Sequence, residues 1–290
     1  MKIWSRKFLV LALVGMLAGV AACGEPEDED NQDNATNQNN DEQNNNQNNT
    51  NQNGGDVPAC EDMSDLGIRD GDPDMTGVAD YAPDYDLIFN AFAFDDESPA
   101  NGLNPVVDLF MDQEDDYPII VLVELSDIDT ATGDLMIRGG AGLHAGEPGG
   151  GEYVWDVSEG LEEPDSAQGT IDGEGRMMAA LPLLNFVATV ETDEEPLKTI
   201  IPIRNIQLDA VVDVAADGSD PSITDGDLAG VIYREDVAEV QIALVPGAEG
   251  LPLTQVLDRD PMNCDFSGDG EADAWALWAT FSAEQTVIVE

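Results

Sequence analysis

From residue 206 to 214 the chain alternates. Ile206, Leu208, Ala210, Val212 and Val214 are set apart by Gln207, Asp209, Val211 and Asp213. A period of two sends alternate side chains to opposite faces, so this stretch predicts a β-strand with one face in a core. Tyr153, Trp155 and Val157 alternate in the same way with Val154, Asp156 and Ser158. Leu87 to Phe94, Ile119 to Leu125, Met177 to Leu181 and Phe186 to Val190 are apolar on both faces and read as buried strands. Leu135 to Ile137, Leu228 to Tyr233 and a hairpin from Trp275 to Val289 complete the set. Gly-, Asp- and Pro-rich turns such as Thr132-Gly133-Asp134 separate them.

Helical signals are few. Asn104-Pro105 reads as an N-cap and first-turn pair, with Val106, Val107, Phe110 and Met111 behind it. A second helix is expected from Arg234 to about Leu244, and one more turn at Leu253, Val256 and Leu257. Many short strands with regular turn signals predict an all-β fold: a single β-sandwich or jelly-roll-like domain with two or three short helices.

That domain is expected over residues 58–290. Before it, residues 24–57 are Asp, Glu, Asn and Gln with almost no apolar side chain. Such a segment buries too little surface to offset its ordering entropy, so it is read as a disordered linker. As a flexible coil its roughly 33 residues span about 30 Å on average and about 110 Å fully stretched. Residues 1–22 carry Lys2, Arg6 and Lys7, then the apolar run Phe8 to Val20, then small residues. These are the parts of a signal peptide.

Val20-Ala21-Ala22-Cys23 resembles the lipobox of bacterial lipoproteins. The resemblance implies cleavage before Cys23, diacylglycerol on its sulfur and acylation of its new amino group. It implies a membrane partner, bound through that lipid, and a cell-envelope location. Gly24 stands where an Asp would favour retention at the inner membrane, which points to the outer membrane. The layout as a whole resembles surface lipoproteins of large-genome bacteria, a type with no activity attached to it.

Setting Cys23 aside leaves Cys60 and Cys264, which an exported chain most simply pairs. The alternative is two buried thiols. A disulfide closing a loop of about 200 residues is worth roughly 5 kcal/mol as an upper figure.

The chain has 61 acids and ten bases, and three of those bases lie in the signal. Such a surface repels nucleic acid and anionic lipid, and no nucleic-acid partner is expected. It reads first as solvation in salt, second as calcium loading, and third as recognition of a basic partner.

Asp265-Phe266-Ser267-Gly268-Asp269-Gly270-Glu271-Ala272-Asp273 has oxygen ligands at alternate positions and glycine at the sixth. That pattern lets a tight loop wrap a hard cation. It resembles the calcium loop of EF-hands, dockerins and thrombospondin type 3 repeats. The resemblance implies calcium held by Asp265, Ser267 and Asp269 side chains, the Glu271 carbonyl and Asp273. It is incomplete, since Ala276 stands at the twelfth position where an EF-hand has Glu. An acidic turn without an ion is the competing reading. Asp70 to Asp74 has similar acids but Met75 at the turn, and reads as a solvated loop. Asp225-Gly226-Asp227 reads as a turn.

Catalytic templates are sparse. His144 is the lone histidine, and no Gly-x-Ser-x-Gly elbow, His-Glu-x-x-His pair or phosphate-cradling glycine loop occurs. Two functional readings remain. One is a non-catalytic, calcium-supported domain that binds a glycan or an envelope protein, or serves an envelope structure. The other is a glycan-active hydrolase or lyase using a carboxylate pair, with Glu124 and Asp209 as candidates if they face a concavity. Trp275 and Trp278 differ by an odd number of residues, so a regular strand turns them to opposite faces.

Overall fold

The described residues form twelve strands, ten of them in one sheet that returns on itself. One of them, β3 (Asp134–His144), has neighbours on both sides that lead back to each other. The computed structural model describes residues 57–63, 65–66, 73–75, 81–111, 119–190, 197–215, 219–242, 250–257 and 261–289. The expected signal peptide, Cys23, the expected linker up to residue 56, and Asp70 to Asp72 lie outside the described residues. No helix among the described residues is long and apolar enough to cross a membrane.

In chain order the strands are β1 (Tyr85–Phe94), β2 (Val121–Ser126), β3 (Asp134–His144), β4 (Glu152–Trp155), β5 (Ala167–Ile171) and β6 (Arg176–Val190). They continue as β7 (Leu197–Asp213), β8 (Ser222–Tyr233), β9 (Gln241–Ile242), β10 (Leu251–Pro252), β11 (Ala274–Gln285) and β12 (Val287–Ile288). Short helices are α1 (Cys60–Met63), α2 (Asn104–Phe110), α3 (Arg234–Val237) and α4 (Leu253–Leu257). The domain is all-β and sandwich-like, as the alternation predicts. Ten strands form one sheet in the order β12-β4-β3-β2-β1-β11-β8-β7-β6-β5, and β5 also pairs β3. That last pairing joins the two layers at their open side, so the sheet curls around its own core. β9 and β10 form a separate two-stranded piece.

The alternating residues behave as the period requires. Ile206, Leu208, Ala210 and Val212 are buried, and Trp275 and Leu277 are wholly so. Aromatic rings fill the middle: Phe89 stacks on Phe281 at 4.5 Å, and Phe92 meets Phe186 at 4.6 Å. Each such ring removes on the order of 150 Å² or more of apolar surface from water, the main term holding the two layers together.

Several local expectations are corrected. Met177 to Leu181 and Phe186 to Val190 are one fifteen-residue strand, β6. Pro182 does not interrupt it because strand edges tolerate proline. The expected helix from Arg234 to Leu244 ends at Val237, because Gln241 and Ile242 pair with β10 instead. Asn104 is not an N-cap. Its amide binds the backbone of β1, accepting from Phe94 N–H and donating to Phe94 C=O, both at 2.8 Å. Val157 is 60% exposed, because β4 stops at Trp155. Nor does the C-terminal segment form a hairpin, since β12 pairs β4 in parallel.

Two glycines allow close approaches. A Cβ at Gly142 would lie 2.6 Å from Leu122, where β4 and β12 cross over the outer face of β2. There Tyr153 and Trp155 pack on Ile88, Ile120 and Leu122 as a small second layer. A Cβ at Gly226 would strike the Phe281 ring at 2.6 Å. Asp225-Gly226-Asp227 is therefore not a turn but part of β8, with the glycine making room for a core ring.

Candidate functional site

The Asp265 loop sits directly after Cys264, and Cys264 is joined to Cys60 with a Cα–Cα distance of 4.8 Å. Two backbone bonds flank the disulfide: Asp265 N–H donates to Pro58 C=O at 2.9 Å, and Cys60 N–H to Asp265 C=O at 3.1 Å. Residues 58–60 are thus pinned to the start of the loop. Val231, Ala274 and Ala276 pack around the sulfurs on the outer face of the sheet, with Met63, Tyr233, Phe266 and Trp278 partly covering them. Trp275 and Trp278 do face opposite ways: Trp275 lies in the main core and Trp278 in this outer cluster.

Within the loop the carboxylates face inward onto the backbone. Asp265 accepts N–H bonds from Gly268 (2.7 Å), Asp269 (3.2 Å) and Gly270 (2.7 Å). Asp273 accepts from Phe266 (2.7 Å) and Ser267 (3.1 Å), and Asp269 from Glu271 (2.9 Å). The Gly270 N–H above all, working against desolvation and joined by those of Gly268 and Asp269, holds the Asp265 carboxyl below its ordinary range. Gly268 and Gly270 take φ of 80° and 90°, the left-handed turns that wrap the loop.

This arrangement fits a weakly held cation in part. A carboxylate offers about four lone-pair positions, so Asp265, Asp269 and Asp273 keep acceptor capacity beyond their N–H bonds. Among the described residues no three acidic, His or Cys side chains converge on one point. The loop is closed by its own hydrogen bonds, whatever ion joins it.

The remaining candidates are dispersed. Glu124 is ion-paired with Arg138 on the outer face, with Arg138 Nε donating at 2.7 Å, and Asp209 with Arg176, with Nε at 2.8 Å. His144 lies at the end of β3, its ring 5.0 Å from Tyr153, and both its nitrogens are buried without a partner among the described residues. Asp227 stands opposite Asp209 across β7 and β8. Burial first, then the charges of Asp225, Asp209 and Asp95, push its carboxyl up.

One group was not singled out from the sequence. Asp156 is 2% exposed. Lys198 Nζ donates to it at 2.5 Å and also to Ser158 Oγ. Burial alone would raise the Asp156 carboxyl. The bonds from Lys198 and Ser158, with the lysine charge, outweigh it and hold the group below its ordinary value. No short-range pattern links residues 156 and 198, so only the fold reveals the pair. A depressed carboxyl contributes stability above its unfolded value near 4, lost as pH falls through the folded one. Lys198→Met is expected to cost about 2 kcal/mol at pH 7, the moderate figure reflecting a lysine that is 28% exposed. Urea unfolding at pH 7 and about pH 2 checks this; an equal gap at both would rule out the ion pair as its cause.

No protein-family model matches the chain, and no curated protein or solved structure does either.

Proposed function

We propose that this chain is an exported lipoprotein of the cell envelope, anchored through lipid on Cys23 at the outer membrane. Residues 23–57 act as a spacer. The domain over residues 58–290 binds an envelope component, a glycan or a protein, without catalysis. The observation that favours binding over catalysis is the fate of the acid candidates: Glu124 and Asp209 are each held by an arginine on an outer face. Carboxylates engaged by arginines on an outer face are not a pair facing each other across a cleft, the arrangement that glycoside hydrolysis needs. The interior offers no alternative, because its middle is occupied by phenylalanine rings. The address rests on Val20-Ala21-Ala22-Cys23.

Calcium has a supporting role in this reading. Asp265, Ser267, Asp269, Glu271 and Asp273 would hold it beside the disulfide, with an affinity on the order of 10⁻⁴ to 10⁻³ M. Calcium at about ten times that dissociation constant then adds roughly 1.4 kcal/mol. The melting midpoint should rise by a few degrees in calcium and not in magnesium, and Asp269→Ala should abolish the rise. An unchanged midpoint would remove calcium from the reading.

The binding role is tested by screening the purified protein against envelope glycans and envelope proteins. Retention of a component without change to it is the expected result. Release of new reducing ends from a glycan would overturn the non-catalytic reading.

A further inference from the structure

Both neighbours of β11 bulge at the same level, opposite Ser282. On one side Phe89 of β1 pairs Ala283 and Ala91 pairs Ser282, so Asn90 is an extra residue with no counterpart on β11. On the other side Phe281 pairs Gly226 of β8 and Ala283 pairs Ile223, so Thr224 and Asp225 together oppose Ser282. Against β7 the same two residues oppose Val211 alone. In a regular strand successive side chains point to opposite faces, and a bulge re-aims them. Here Asn90 with Ala91, and Thr224 with Asp225, are consecutive pairs in which both residues are exposed.

A cleft of about 650 Å³ opens over these bulges, a volume in the range of small-ligand sites. Ala91 and Ala93 of β1 and Thr280 and Ser282 of β11 line it, so its strand positions carry small side chains. At the β1 end α2 contributes Asp108, with Met111 just beyond that helix. The Asn104 amide holds α2 in place through its two bonds to Phe94. At the β8 end stand Thr224 and Asp225. Part of the polar set is already oriented. Ser282 Oγ donates to Asn90 Oδ1 at 2.6 Å, and Thr224 Oγ1 donates to Asp213 at 3.1 Å, which leaves both hydroxyl oxygens able to accept. Asp108, Asp225 and Thr280 are exposed and make no side-chain hydrogen bond or ion pair among the described residues.

We propose that this cleft binds a neutral, hydroxyl-rich oligosaccharide, with Asp108, Asp225 and Thr280 taking its hydroxyls and the two alanines leaving room for its rings. Two carboxylates and the free lone pairs of the hydroxyls make the cleft richer in acceptors than in donors, so its ligand must bring donors. Sugar hydroxyls do so without charge. The chain's large excess of acids repels anionic glycans. Among the described residues no three acidic, His or Cys side chains converge, so these carboxylates are placed for separate hydroxyls and not for one metal ion. The half-buried Met111 and the alanine methyls give the apolar faces of the rings a surface to rest on. The proposal deepens the envelope-binding reading and rests on it for the class of ligand.

The probes are neutral hexasaccharides: α1,4- and β1,4-linked glucose, β1,4-linked mannose and β1,4-linked N-acetylglucosamine. Each is titrated into the full-length protein while backbone amide shifts are followed. Saturable binding of at least one is expected, with shifts at Ala91, Ala93, Thr280, Ser282 and Asp225. Asp108→Ala with Asp225→Ala should weaken it about tenfold or more, since hydrogen bonds to charged acceptors are lost. Both positions are exposed, and an unchanged melting midpoint shows that the fold is kept. Glu162→Ala, in a different cleft, should leave binding unaltered, as should a chelator, which separates this site from the Asp265 loop. A galacturonate hexamer, anionic on every ring, should not bind. No binding by any of the four, shifts confined to other amides, or equal binding by the double variant would each overturn the proposal. An envelope component retained in the broader screen by a protein that binds none of the four would sink this site alone and leave the envelope-binding reading standing.

Discussion

Replacing Cys23 with alanine is expected to abolish acylation and release the protein from the membrane fraction. The argument is one of chain number. A single acyl chain binds a bilayer marginally and reversibly, whereas several anchor it firmly. The lipobox resemblance places diacylglycerol on the sulfur and a further acyl group on the amine, and all of them depend on that one side chain. With about 54 more acids than bases left after the signal, the protein has no electrostatic attraction to an anionic surface that could hold it instead. Radiolabelled fatty acid and fractionation measure both effects. A Cys23→Ala protein that still takes up label would sink the assignment.

The second large effect concerns Cys60 and Cys264. They lie 204 residues apart, and closing such a loop restricts the unfolded chain by roughly 5 kcal/mol at most. Cys60→Ala with Cys264→Ala is expected to lose about 3 to 5 kcal/mol, a fall in melting midpoint of roughly 10 °C or more. The position adds a mechanical consequence. Any pull transmitted along the linker arrives at Pro58, and the disulfide passes it through Cys264 into β11, which has a strand on each side. Without the bond, that end is held by two backbone hydrogen bonds to Asp265 and by the packing of α1. Mass measurement after alkylation, with and without reductant, checks the pairing itself. Identical alkylation in both would show free thiols.

Much of the fold was legible because burial on a strand face follows a period of two. Ile206 to Val212 and Trp275 to Leu277 could be assigned to the core by that alone. What misled was chain connectivity. Val157 continues the alternation of Tyr153 and Trp155 but lies past the point where β4 ends. Val237 and Val240 have helical spacing, yet Gln241 and Ile242 had a strand partner in β10. Asn104 has the chemistry of a cap, and its amide found a better-placed pair of backbone groups in β1. For the helix and the cap, a partner elsewhere in the chain competed with a local preference worth about 1 kcal/mol or less.

The candidate site divides along the same line. The acid spacing of the Asp265 loop is local, and so is its glycine turn. That Asp265 and Asp273 direct their carboxylates onto the loop's own N–H groups is a matter of three-dimensional closure. The sequence alone determined that strands would dominate, that one face of each would be apolar, and that the chain would be strongly acidic. Local spacing suffices for these, because they depend on residues two or three apart. Only the tertiary structure decided that β5 would close on β3, that Lys198 would meet the buried Asp156, and that β6 would outrun β5. Those follow from contacts between residues dozens of positions apart, whose pairing is chosen by the packing of the whole core and is written in no short stretch of it.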